Sequence, residues 1–142
     1  MSLAPEEEYL FVYGSLQSGA NHPAHKVLTE YAYLICNAEF EGHLFLVADY
    51  PGVVAGNHSP NNIKGELYHL KRPTKVFQKL DPYEGYNPHE PENSLYIRQK
   101  CDVHCPNRTP ETISAWIYLY NRPTENLTRI PSGDYLSYVQ KG

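Results

Sequence analysis

The chain has no apolar run near membrane-spanning length, no cluster of basic residues and few cysteines. A bilayer-crossing helix needs roughly 20 consecutive apolar residues, so no membrane partner is expected. The 12 Lys and Arg residues are scattered among 16 Asp and Glu, for a formal charge of −4. A nucleic-acid binder advertises itself by a basic patch or stripe, so no nucleic-acid partner is expected either. Residues 1–8 form an acidic leader without an apolar h-region, which does not read as a signal peptide. The cysteines, Cys36, Cys101 and Cys105, are odd in number. Without a secretion signal they are expected to be reduced thiols in the cytoplasm. Cys101-Asp102-Val103-His104-Cys105 is not read as a metal site. On a strand its two sulfurs share a face while His104 points away, and the close paired spacing of a zinc site is missing.

What the chain does have is 13 Tyr and 12 Pro, which suit half-buried sheet surfaces joined by stiff loops. Hydrophobic content of 41% and charged content of 20% are those of a globular protein. A chain of 142 residues makes one domain with a real core, expected over residues 9–142. Strands are predicted at Tyr9–Tyr13, Asn37–Ala48, Val53–Ala55, Ile63–Leu70, Leu95–His104 and Thr112–Asn121. Gly42 is expected to mark a bulge or close packing. Asp49-Tyr50-Pro51-Gly52 reads as a turn. Helices are predicted at Ala24–Leu34, where Val27, Leu28, Tyr31 and Leu34 recur at helical spacing, from Pro73 to a stop at Pro82, and at Gly133–Val139. The order β-α-β-β-β-α-β-β-α, with many strands and short helices, predicts an α+β fold: a small, mixed, β-barrel-like curved sheet with a few short helices.

Two stretches carry chemistry. Tyr9-Leu10-Phe11-Val12-Tyr13-Gly14-Ser15-Leu16 is a buried strand ending in a small turn. Gly14 lets the backbone turn sharply and approach a ligand. Successive N–H groups in such a turn can hold an anion or a developing oxyanion. Ser15 lies in no Gly-x-Ser-x-Gly elbow, so a loop role is preferred to a nucleophilic one. Far along the chain, Leu80-Asp81-Pro82-Tyr83-Glu84-Gly85-Tyr86 offers an isolated carboxylate at Glu84. Asp81 reads as a helix-end or turn residue before a second acid, and Arg98 as a structural ion-pair partner or a stem packed on the sheet before a ligand of a substrate carboxylate. Tyr120 reads as sheet packing before cavity lining.

With these residues the chain resembles the γ-glutamylcyclotransferase-like family, which includes γ-glutamylamine cyclotransferase. Four segments carry the resemblance in order: Phe11-Val12-Tyr13-Gly14-Ser15-Leu16; Tyr50-Pro51-Gly52 with Gly65-Glu66-Leu67-Tyr68; Leu80 to Tyr86; and Tyr96-Ile97-Arg98 with Val103 and Trp116-Ile117-Tyr118-Leu119-Tyr120. The resemblance implies a small mixed barrel whose cavity holds a γ-glutamyl group. The substrate's α-amine attacks its own γ-carbonyl, giving 5-oxoproline and a released amine or amino acid, with no metal or organic cofactor. It places the catalytic glutamate on Glu84 and the substrate-binding loop on Tyr13, Gly14, Ser15 and Leu16.

That chemistry suits these residues. An ammonium cannot attack until it loses a proton, and one carboxylate can accept that proton and later pass it to the leaving amine. Burial, and a position just past a helix C-terminus, would raise the pKa of Glu84. The Asn87–Leu95 loop is expected to shape or cover the cavity mouth. A competing expectation is a non-catalytic small-ligand-binding barrel, and a third is a protein-interaction module. The expected partner is a small γ-glutamyl substrate, and the expected state is a monomer or weak homodimer.

Overall fold

The computed structural model describes residues 7–20, 22–59 and 61–141, so most of the expected acidic leader lies outside the described residues. Five strands close a barrel in the order β1-β5-β2-β6-β7. They are β1 (Tyr9–Val12), β2 (Ala32–Phe40), β5 (Ile63–Leu70), β6 (Tyr96–His104) and β7 (Thr112–Tyr120). A second sheet, ordered β4-β3-β8, joins β3 (Gly42–Leu46), β4 (Pro51–Ala55) and β8 (Thr128–Arg129). The helices are short: α1 (Lys26–Tyr31), α2 (Pro73–Tyr83) and α3 (Tyr135–Lys141). The protein is therefore α+β and barrel-like, as expected. Among the described residues no helix is long and apolar enough to cross a membrane.

Strand β1 is buried on both faces, which explains why its sequence is continuously apolar. It pairs antiparallel with β5, Leu10 opposite Tyr68 and Val12 opposite Glu66, and meets β7 at Leu10 and Trp116. Successive side chains point to opposite faces. Leu10 and Val12 enter a core with Leu28, Val76 and Leu80 of α1 and α2. Phe11 and Tyr13 enter another with Ile63, Ile117 and the second sheet's Leu44 and Val53. Each large apolar side chain so buried contributes about 1.5–3 kcal/mol. The strand is thereby fixed between two cores, and the loop that follows it starts from a rigid support.

Several predicted elements differ from those observed. The helix expected at Ala24–Leu34 is α-helical only over Lys26–Tyr31, after a 3₁₀ turn at Pro23–His25. Ala32 already pairs with Leu70 in the barrel, and Leu34 with Tyr68. The helical spacing misled because Leu34 is 52% exposed and belongs to no helix face. The strand expected at Asn37–Ala48 is two, β2 and β3, parted at Glu41. Gly42 marks close packing, since a Cβ there would meet the Val54 carbonyl oxygen at 2.7 Å. The bulge lies instead between Leu34 and Cys36. Pro51 and Gly52 belong to β4 rather than to a turn; the turn before them closes through the Val47 N–H and the Tyr50 carbonyl at 2.9 Å. The last helix starts at Tyr135, with Asp134 as its cap, accepting from the Ser137 N–H at 3.1 Å.

Candidate active site

The end of α2 places two carboxylates. Pro82 does not stop the helix, which runs on to Tyr83. Proline removes one donor, but the Glu84 N–H still reaches the Leu80 carbonyl at 2.8 Å. The stop comes from Gly85, whose φ is +71°. Its N–H bonds the Pro82 carbonyl at 3.1 Å, and the Tyr86 N–H bonds the Asp81 carbonyl at 2.9 Å. This is a Schellman ending, which needs a left-handed residue just past the helix. Glu84 is thus the C-cap, with Asp81 one turn before it on the same side.

Asp81 is saturated. It accepts a two-pronged contact from Arg98, Nε to Oδ1 at 2.9 Å and Nη2 to Oδ2 at 3.1 Å. The Tyr118 hydroxyl donates to the same Oδ1 at 2.6 Å. The Arg98 guanidinium also lies 3.8 Å from the Phe77 ring centroid. Arg98 is the structural ion-pair partner expected, and Asp81 is its buried counter-ion.

Glu84 is the opposite case. Among the described residues no ion pair or hydrogen bond engages its carboxylate. Burial first, and the nearby Asp81 charge second, push its carboxyl from the ordinary 4.5 up to about 7. Of the two causes expected, burial and the helix C-terminus, burial is the one found, and the Asp81 contribution was not anticipated. A carboxylate poised near neutrality is suited to proton transfer in both directions.

The loop after β1 faces it. Gly14 and Gln17 close a turn, the Gln17 N–H donating to the Gly14 carbonyl at 3.1 Å. A Cβ on Gly14 would meet Pro51 Cγ at 2.8 Å, so the close approach to β4 requires glycine. The Ser15 and Tyr83 hydroxyls share a hydrogen bond of 2.7 Å, which ties the loop to the helix end that bears Glu84. Tyr13 is buried, its hydroxyl donating to the Tyr118 carbonyl at 2.6 Å. Among the described residues, no acceptor takes the N–H groups of Gly14, Ser15 or Leu16.

A cavity of about 360 Å³ is lined by Tyr13, Gly14, Ser15, Leu16 and Glu84 together. All the site residues expected from sequence therefore meet at one place. Sequence reasoning missed the aromatic remainder of the lining, including Tyr50, Tyr96 and Tyr118. Tyr50-Pro51-Gly52 was visible as a segment, but nothing local said that it faced the loop. Tyr120 is packing: its ring meets Tyr96 edge-on at 5.6 Å. The expectation for the Asn87–Leu95 loop needs correction. Of this loop only Leu95 lines the cavity, while Asn87, Pro88, Glu90, Asn93 and Ser94 line an adjoining groove of about 830 Å³ that shares Pro82 and Gly85 with it. The loop is held away because Asn121 and Arg122, just past β7, donate to the Ser94 carbonyl at 3.0 and 2.6 Å.

The described residues contain no grouping of His, Cys, Asp and Glu arranged to hold a metal ion. Cys105 is buried, and burial, then the neighbouring Cys36 thiol, push its own thiol up to about 12.

Comparison with known proteins gives this geometry a context. A protein of Citrobacter rodentium named γ-glutamylcyclotransferase family protein ytfP is 34% identical over 92% of this chain and 97% of its own length. A γ-L-glutamyl-butirosin B γ-glutamyl cyclotransferase of Niallia circulans is 32% identical over 80% of this chain and 67% of its own. The solution structure of ytfP from Escherichia coli superposes with a TM-score of 0.59 at 30% identity, covering 92% of this chain and 98% of that one. An AIG2-like protein of mouse superposes at 0.66 with 20% identity, covering 91% of this chain and 89% of the other, a likeness of fold. The profile of the family described as γ-glutamyl cyclotransferase, AIG2-like, matches residues 10–137, the strand, loop and helix end of the cavity included, and the chain belongs to that family.

Proposed function

We propose that the chain cyclises a γ-glutamyl group to 5-oxoproline and releases an amine or amino acid. The observation that carries this reading is Glu84: a carboxyl pushed up to about 7, without a protein partner among the described residues, in the same cavity as the Tyr13–Leu16 loop. A relative named for γ-L-glutamyl-butirosin B supports a γ-glutamyl compound as the substrate class.

In this reading the cavity folds the γ-glutamyl chain so that its α-amine meets its own γ-carbonyl. That proximity is the main requirement of an intramolecular reaction. Glu84 accepts a proton from the ammonium, and the freed nitrogen forms a bond to the carbonyl carbon. The carbonyl oxygen becomes negative and is met by the N–H groups of Gly14, Ser15 and Leu16. Each such donor is worth roughly 3 kcal/mol. The bond to the leaving nitrogen then breaks as Glu84 returns the proton to it, and the second proton of the ring nitrogen passes through the freed carboxylate to the released amine, which departs as an ammonium. The sequence is redox-neutral, and every atom is accounted for by substrate and one carboxyl.

The test is 5-oxoproline release from a panel of γ-glutamyl amines and γ-glutamyl amino acids, with a Glu84→Gln control. Turnover is expected for at least one compound, and Glu84→Gln should lower it by about 10²–10⁴-fold with an unchanged circular dichroism spectrum. Full activity in that variant refutes Glu84 as the base. Thermal stabilisation by the panel without any product would instead favour a ligand-binding barrel.

A further inference from the structure

Glu66 is a buried acidic residue that the reaction outlined above does not use. It lies on β5, opposite Val12, the last residue of β1. It is 8% exposed. No Lys, Arg or His is paired with it among the described residues. Its carboxylate instead accepts from the Ser18 N–H at 2.8 Å, from the Ser18 hydroxyl at 2.5 Å and from the Tyr68 hydroxyl at 2.9 Å. A buried carboxylate is costly unless its oxygens are met by donors. Here the donors come chiefly from one residue, and that residue closes the substrate loop.

The geometry gives this arrangement a consequence. The loop leaves β1 at the Val12–Glu66 pair and is caught again at Ser18 by the side chain of the same Glu66. Both ends of the Tyr13–Gln17 segment are therefore referred to one position on one strand. Between them the loop is fixed by the Gln17-to-Gly14 turn, the contact with Pro51 and the Ser15–Tyr83 hydrogen bond. The N–H of Ser18 is consumed by Glu66 and that of Gln17 by Gly14, which leaves those of Gly14, Ser15 and Leu16 available. A charged acceptor holds a donor about twice as strongly as a neutral one. Donors aimed at a developing charge act only if they are held in place before the charge appears.

We propose that Glu66 is a positioning residue: by gripping Ser18 it holds the N–H groups of the Tyr13–Leu16 loop in the arrangement that meets the γ-carbonyl oxygen. The inference rests on the cyclotransferase reading. It concerns a residue that touches neither substrate nor reacting atoms.

The experiment compares wild type, Glu66→Gln and Ser18→Ala on a γ-glutamyl compound that the wild type turns over. Kinetics are measured together with thermal unfolding and amide hydrogen exchange of residues 13–18. Both variants should lose kcat, Glu66→Gln by roughly 10- to 100-fold, the scale of a misplacement near 1 Å. KM should change less than about 3-fold, because binding and transition-state contacts separate in this way. Exchange in residues 13–18 should quicken, while the acid limb of the pH–rate profile, which reports Glu84, stays where it is. A folded Glu66→Gln protein with wild-type kcat overturns the proposal. So does a loss of kcat that follows thermal stability with loop exchange unchanged, since that is the signature of a merely structural residue. If Glu66→Gln does not fold, Ser18→Ala decides alone: wild-type kcat and exchange in that variant overturn the proposal, and reduced kcat with faster exchange supports it. No turnover of any γ-glutamyl compound by wild type would remove the cyclotransferase reading itself, a result distinct from an active wild type with an unaffected Glu66→Gln.

Discussion

Asp81 and Glu84 sit within one turn of each other at the end of α2, carry the same functional group and meet opposite surroundings. On the Asp81 side, Arg98 and Tyr118 fill both oxygens with donors. On the Glu84 side lies a cavity, and among the described residues no donor reaches the carboxylate. The difference teaches that position on a helix does not decide whether an acid is structural or chemical. Hydrogen-bond supply decides it: the Asp81 carboxylate is taken up by structural donors, whereas the half-buried Glu84 carboxyl, without donors among the described residues, is pushed up to about 7. The two are also coupled, because the Asp81 charge helps to raise the Glu84 carboxyl.

The largest effect expected from breaking this contrast is on turnover. Replacing Glu84 by Gln removes the proton carrier and should lower 5-oxoproline formation by about 10²–10⁴-fold. In wild type, kcat/KM should rise with pH through an acid limb near the value of about 7 to which Glu84 is pushed. An acid limb that persists unchanged in an active Glu84→Gln variant would assign the titration elsewhere.

Next comes the structural acid. Asp81→Asn leaves the half-buried Arg98 guanidinium beside Phe77 without its counter-ion. Breaking one partner of a buried pair costs about 3–5 kcal/mol, to be read from the urea midpoint. Because the Asp81 charge raises the Glu84 carboxyl, its removal should also move the acid limb of any surviving activity to lower pH. A limb displaced upward would contradict the coupling.

The third effect is on stability against pH, and its sign is fixed by the direction of the Glu84 shift. The folded carboxyl is raised from 4.5 to about 7, so the folded chain holds a proton that the unfolded chain has released. The stabilisation this gives is complete below the unfolded value and is lost as pH rises through about 7. Glu84→Gln, which has no such loss, should be more stable than wild type at pH 8 by on the order of 2 kcal/mol. It should show no advantage at pH 4. Chemical denaturation at both pH values measures this, and equal stability at pH 8 would mean that burial of Glu84 is not costly.

How much of this was legible in the sequence follows from the reach of each interaction. Strand β1 was legible because burial on both faces leaves a continuous apolar run. Glu84 was legible through the family resemblance and as a carboxylate close behind a predicted helix, but the helix end was not: the stop was expected at Pro82 and comes from Gly85. Arg98 was legible as an ion-pair partner, but its partner was not: Asp81 lies 17 positions away on another element. The Glu66 grip on Ser18 spans 48 positions and leaves no local trace. The α1–β2 boundary was missed for a different reason. Val27, Leu28, Tyr31 and Leu34 satisfy a helical period, yet pairing with β5 claims the chain from Ala32 onward, and tertiary pairing outweighs local spacing. The Asn87–Leu95 loop was misplaced because its anchors, Asn121 and Arg122, lie beyond the next two strands.

The smallest effect tests what sets the two acids in place. Gly85 adopts φ +71° and ends the helix so that Asp81 contributes a carbonyl to the cap and Glu84 becomes the capping residue. A Cβ at this position would lie 3.5 Å from Leu95 Cβ, an ordinary contact, so Gly85→Ala introduces backbone strain without a clash. The cost should be about 1 kcal/mol, visible as a lowered urea midpoint with an unchanged slope. Gly85→Asn should cost less, because Asn tolerates the left-handed region better than Ala. If Ala and Asn destabilise equally, the penalty comes from side-chain contact with Leu95 rather than from the left-handed cap. The contrast between the two acids would then rest on packing around α2 rather than on how the helix ends.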